Sequence, residues 1–240
     1  MYCLFLTIKS GDKFDMSENL HVEKNYKTIY SNREEIYNSF SHVLGIIFSV
    51  IAIFLLIFQS LKGDSLVNLI SCVIYGFALI MMYSASSMYH YCKVGTLKAK
   101  LRIIDHLNIY ILIAGTYTPI ALIALNGAVG WVIFSLMWTL AILGIIYKLT
   151  AFGSSWVSSL LYILMGWVAI FFIVQIIDAI PTISFMLLLL GGMFYTCGVV
   201  FYMLDEIYEF MHFIWHIFVL LGSVFHFFAI FLYIAPMNIY

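Results

Sequence analysis

The sequence predicts an all-α, polytopic integral membrane protein: a bundle of seven transmembrane helices with its N-terminus in the cytosol and its C-terminus outside. Three observations carry this. Of the 240 residues, 64% are hydrophobic and 10% charged, against about 25% charged in soluble domains. Seven apolar runs follow one another, each close to the roughly twenty residues that cross a bilayer as helix. The Lys and Arg residues, finally, fall on alternate loops.

The runs lie near 39–59, 66–90, 105–125, 129–149, 155–177, 182–204 and 210–235. In lipid each backbone N–H and C=O must be bonded within its own segment, so each run is read as a helix. The first follows a polar stretch, and the second ends in SSMYH. The third starts at Asp105 and tolerates Pro119 near its far end. The fourth opens beside Trp131; with Trp156 and Tyr240, that residue lies near span ends, as an aromatic belt requires. The fifth carries the pairs Ser154/Ser158 and Ser155/Ser159, small-xxx-small spacing that marks a packing face. The sixth leads into Asp205, Glu206 and Glu209, read as a solvated acidic loop, and the seventh begins HFIWH.

Orientation comes from the basic residues. Lys9, Lys13, Lys24, Lys27 and Arg33 precede the first span; Lys93, Lys98, Lys100 and Arg102 fill the second loop; Lys148 stands in the fourth. Only Lys62 falls on the opposite side. Ten against one puts the N-terminus inside by the positive-inside rule. Eleven of the 23 charged side chains lie in residues 1–35, so the chain divides into a cytosolic N-terminal arm, 1–35, and a seven-helix membrane domain, 36–240. Residues 1–8 are apolar but too short to span and lack a small-residue cleavage pattern, so no signal peptide is expected. The polar stretch after Met16 reads as a natural start.

A formal net charge of −1 gives no basic excess for nucleic acid. Cys3, Cys72, Cys92 and Cys197 lack CxxC spacing, which argues against a disulfide framework or a thiolate zinc site. Partners are therefore sought in the membrane, as a lipid substrate or ligand.

An ionisable group inside a span is expensive and a functional candidate by default. His212 and His216 stand at i and i+4, on one helical face, a spacing that can present two imidazoles to one metal or to interhelical hydrogen bonds. The second span ends with Ser86 and His90 at the same spacing; the third starts with Asp105; the first carries Glu35, Asn38 and His42 on one stripe. Spans one, three and seven run outward and span two runs inward, so all these residues collect at the cytosolic side. His90, His212 and His216 match the three protein ligands of a catalytic zinc site, and Asp105 is placed as acceptor or general base toward its water. As alternatives, Asp105 is a charge favoured at a helix N-terminus, and Ser86 a small residue for packing. Asn38 and His42 are read as ties between helices, Glu34 and Glu35 as first-turn acids, and His106 as interfacial. His226, about 21 Å along the axis from His212 at 1.5 Å per residue, is too far to share an ion. His21 has no implied role.

These stretches together, EEIYNSFSHVLG (34–45), SASSMYH (84–90), LRIIDHLNIYILIAGTYTP (101–119) and MHFIWHIFVLLGSVFHFFAI (211–230), resemble the hemolysin III family. More distantly they resemble the adiponectin and progestin receptor family, in a wider group that includes alkaline ceramidases. The resemblance implies a seven-helix bundle with a cytosolic N-terminus and a zinc ion held by His90, His212 and His216, with Ser86 and Asp105 completing the constellation. It also implies a bacterial-type plasma membrane location. Three functions compete: a zinc-dependent hydrolase of a lipid amide or ester, in which Asp105 and Ser86 are catalytic; a nonenzymatic receptor-like or lipid-homeostasis protein with structural zinc; and a pore-forming hemolysin that causes cytolysis. A retinal protein is excluded, since the seventh span contains no Lys for a Schiff base.

Overall fold

The computed structural model describes residues 30–63, 65–93, 95–150 and 155–238. Residues 1–29 of the arm, with Met16 and His21, and also Asp64, Ser154 and Tyr240 therefore lie outside the described residues. Among the described residues every regular element is helical: α1 (Asn32–Ser60), α2 (Leu66–Tyr91), α3 (Thr96–Pro119), α4 (Gly127–Thr150), α5 (Ser155–Gly166), α6 (Ile173–Ala179), α7 (Thr182–Leu204) and α8 (Met211–Ala229). The pair α5 and α6 forms one span, joined by a 3-10 stretch over Trp167–Phe172. Seven segments are long and apolar enough to cross a membrane.

Two helices begin well before the apolar runs do. α1 starts at Asn32 because Ser31 and Glu34 form a capping box: Glu34 N–H donates to Ser31 Oγ (3.3 Å), and Ser31 N–H donates to Glu34 Oε2 (2.9 Å). α3 starts at Thr96, nine residues before the apolar run, since Lys98, Lys100 and Arg102 lower hydropathy without opposing helix. Its far end passes Pro119 into a π-helical turn, Ile120–Leu125, and the left-handed pair Asn126 (φ 36°) and Gly127 (φ 50°) reverses the chain into α4.

α3 is the axis of the bundle: 78% of its apolar window is buried, against 17% in the fifth span. One core cluster gathers Leu56, Tyr75, Leu79 and Ile230 from α1, α2 and the end of the seventh span. A second joins Tyr110 of α3 to Ile133 and Met137 of α4 and Met165 of α5. Gly45 lets α1 settle on α2, since a Cβ there would collide with the Tyr83 ring.

The break in the fifth span was not foreseen from sequence, where 155–177 reads as one continuous helix. Tyr117 of α3 accounts for how it is held. Its hydroxyl donates to Gly166 C=O (2.7 Å) and accepts from Ala169 N–H (2.9 Å), two groups inside or beside the 3-10 stretch. Trp167 Nε1–H donates to Thr196 Oγ1 of α7 at 3.1 Å.

Candidate metal centre

The end of the bundle where α1, α3 and α8 begin and α2 ends carries the polar side chains. It is assembled by the capping box of α1. Glu34 accepts from Ser31 with one oxygen, and its Oε1 accepts the N–H of Phe210 at 2.7 Å. Phe210 is the N-cap of α8, held left-handed at φ 63°. One carboxylate thus caps two helices and sets α8 beside α1.

That junction brings His90, His212 and His216 together. All three are buried, and one ligand atom from each lies within 4.8 Å of the others, close enough for a single metal ion. Ring centroids are 5.0 Å apart for His90–His212 and His90–His216, and 4.6 Å for His212–His216. The grouping expected from the i, i+4 pairs is therefore present.

Each ring is fixed through Nδ1. His90 Nδ1 lies 2.7 Å from Glu35 Oε2, and His212 Nδ1 lies 2.7 Å from Asp205 Oδ2. His216 Nδ1 lies 3.1 Å from the Asn38 carbonyl and 3.0 Å from Ser41 Oγ, which itself donates to that carbonyl at 2.7 Å. Carboxylate and carbonyl oxygens only accept, so Nδ1 is the protonated nitrogen in each ring and Nε2 keeps its lone pair. Nε2 of His90 and of His212 are buried without a hydrogen-bond partner. A buried polar atom left unpaired costs about 1–3 kcal/mol. Lone pairs that converge in a dry interior, each backed by an acceptor behind the ring, are what a divalent cation requires of its imidazole ligands.

Asp205 is a correction to the sequence reading, and Glu35 an addition to it. Glu35 is a first-turn acid of α1 as read, but it is also buried and reaches across to α2. Asp205, taken as part of a solvated loop, has 7% of its side chain exposed and accepts from Tyr30 Oη as well, at 2.7 Å. Burial and the Asp205 carboxylate both push the Tyr30 hydroxyl well above the usual phenol range, so Tyr30 stays a donor and packs its ring on His212, 4.6 Å between centroids. Glu206 and Glu209 are exposed, as expected of the loop. A usable signal existed: a metal-bound imidazole needs an acceptor on its second nitrogen, and these acids were among the few at this end.

Asp105 and Ser86 are both buried, and Asp105 Oδ1 and Ser86 Oγ each lack a hydrogen-bond partner. Asn38 and His42 tie α1 to its neighbours, but not by side-chain hydrogen bonds. Both His42 nitrogens and both side-chain polar atoms of Asn38 lack partners. His42 instead stacks on His216 (3.7 Å, 22°) and meets the Tyr83 ring edge-on. His106 is half-buried and lines a polar cavity of about 200 Å³ with Tyr30, Arg102, Tyr202, Asp205 and His212. His226 stands apart, with Nε2 3.0 Å from Leu188 C=O.

A second cavity, also about 200 Å³, is almost wholly apolar and lies between α3, the fifth span, α7 and α8. Leu112, Trp167, Tyr195 and His226 line it, together with Trp215 and Val219, which flank His216 along α8.

The chain matches the family model described as Haemolysin-III related over residues 30–227. It is similar to Hemolysin-3 of Bacillus cereus, 38% identical over 206 residues, covering 85% of this chain and 93% of that protein. A Hemolysin-3 homolog of Bacillus subtilis (strain 168) is 37% identical over 208 residues, covering 85% and 96%. The monocyte to macrophage differentiation factor of Homo sapiens is 30% identical over 173 residues, covering 69% and 71%. The matched span holds all three histidines and the acids that orient two of them, and the chain belongs to the haemolysin-III-related family.

Proposed function

We propose that the protein is a zinc-dependent hydrolase of a membrane lipid amide or ester, with His90, His212 and His216 as the metal ligands. The observation that carries this is the meeting of three buried imidazoles, two with an unpartnered Nε2, at the end of the bundle that also buries Asp105 and Ser86. A neutral tri-imidazole set without thiolate suits zinc, and three ligands leave a coordination position free. Zinc held there would supply Lewis acidity toward a carbonyl and raise the acidity of water. Asp105 would accept the proton of the attacking water at its unpartnered Oδ1, and the Ser86 hydroxyl, also buried without a partner, would hold a polar group of the substrate. The apolar cavity beside Trp215 and Val219 is suited to an acyl chain, and the polar cavity at His212 to the head group. The bacterial relatives make a plasma membrane the expected location.

The test is release of fatty acid from a broad panel of lipid amides and esters by protein purified with zinc. Asp105→Asn is expected to keep the metal and lower turnover by about 100-fold or more, and His212→Ala to abolish it. A folded, metal-loaded Asp105→Asn protein that retains full cellular function would favour the second reading. In that reading the ion is structural: it would join α2 to α8, elements far apart in sequence that supply all three ligands.

A further inference from the structure

Lys98 enters the sequence as one of ten basic residues that set orientation. The structure gives it another place. It is 1% exposed, in the first turn of α3, and its ammonium has three protons and three acceptors: Glu35 Oε1 at 2.8 Å, Tyr89 C=O at 3.0 Å and Cys92 C=O at 3.1 Å. The ring of Tyr89 lies under the charge, 4.6 Å from its centroid. The two carbonyls belong to the end of α2, where the last carbonyls lack intrahelical donors and the helix dipole is negative.

His90 sits in that same last turn. A helix end that frays would let its imidazole wander, and a metal ligand has to be held to within about half an ångström. Lys98 meets both needs: it caps the turn that carries His90, and it pins the carboxylate whose other oxygen is 2.7 Å from His90 Nδ1. A buried ion pair is weak evidence for stability. An ion pair whose carboxylate also holds a ligand's ring is better explained by positioning.

We infer that Lys98 is a positioning residue of the metal centre, acting through Glu35 to orient His90. The inference rests on the metal-binding reading of the three histidines. With Lys98 present, α1, α2 and α3 are joined at one ammonium, and the His90 lone pair is directed at the space shared with His212 and His216. Removing the ammonium frees both the carboxylate and the helix end.

The test is a competition titration of full-length protein in lipid nanodiscs, with zinc against a chelator and with cobalt read by its visible ligand-field spectrum. Wild type, Lys98→Met, Lys98→Arg, Glu35→Gln and the Lys98→Met/Glu35→Gln double variant are compared. Lys98→Met and Glu35→Gln are each expected to weaken zinc affinity by about 10-fold to 100-fold and to alter the cobalt spectrum. The double variant is expected to be no weaker than the worse single, and Lys98→Arg to keep wild-type affinity. Should Lys98→Met not fold, Glu35→Gln and Lys98→Arg still decide. Wild-type affinity and spectrum in Lys98→Met or Glu35→Gln, additive losses in the double variant, or loss of affinity in Lys98→Arg would each overturn the inference. Failure of the wild type to bind either ion would instead remove the reading beneath it.

Discussion

The histidine end and the fifth span are built from opposite materials within one bundle. At the histidine end, helices are joined through charged and hydrogen-bonding side chains at 2.7–2.8 Å: Glu34 to the start of α8, Glu35 to α2 and α3, and Asp205 to Tyr30 and His212. In the fifth span only 17% of the apolar window is buried, the α-helix gives way to a 3-10 stretch, and Tyr117 and Trp167 supply polar stitches to its neighbours. Hydrogen bonds in a dry interior have one good geometry, whereas apolar side chains tolerate many. The contrast assigns precision to the site where three imidazoles converge and compliance to the wall of the apolar cavity.

The comparison breaks first at Asp205. Asp205→Ala removes the carboxylate that His212 Nδ1–H and the Tyr30 hydroxyl share and leaves the ring only the neutral Tyr30 Oη, 2.8 Å from Nδ1, as acceptor; zinc affinity is expected to fall about 10-fold to 100-fold by chelator competition, with helicity unchanged. A smaller effect comes from the close approach of α1 and α2. Gly45→Leu drives a side chain into Tyr83, which packs on His42 and donates to Ser223 Oγ at 2.6 Å. It is expected to cost about 1–3 kcal/mol of stability, seen as a lower thermal midpoint. The mildest change is Tyr117→Phe, which removes the hydroxyl that serves Gly166 and Ala169. It costs about 1 kcal/mol, and hydrogen exchange at the Ala169 amide is expected to rise while the ends of α1 and α8 keep their protection. Faster exchange at both places would mean that the two regions are not independent.

The positions of the seven spans were legible because lipid imposes one rule, an apolar run bonded within itself, and no span escapes it. The starts of α1 and α3 were not, since hydropathy stops where Arg33 and Lys98 begin, although Ser31 with Glu34 spells a capping box. The three histidines were legible from i, i+4 spacing combined with alternation of direction between spans. Their orienting partners were not. Glu35 already had an adequate explanation as a first-turn acid, and Asp205 stands seven residues from His212, outside α8. The fifth span's break has no proline to announce it; its stitch to Tyr117 joins residues about fifty positions apart, beyond any local pattern.

Metal content decides the central claim. Protein purified in the presence of zinc is to be analysed by mass spectrometry of the metals, beside folded His90→Ala, His212→Ala and His216→Ala variants. The account predicts one zinc per wild-type chain and loss of the ion in each variant. A folded wild type that carries no metal, or three variants that all retain it, would contradict the account.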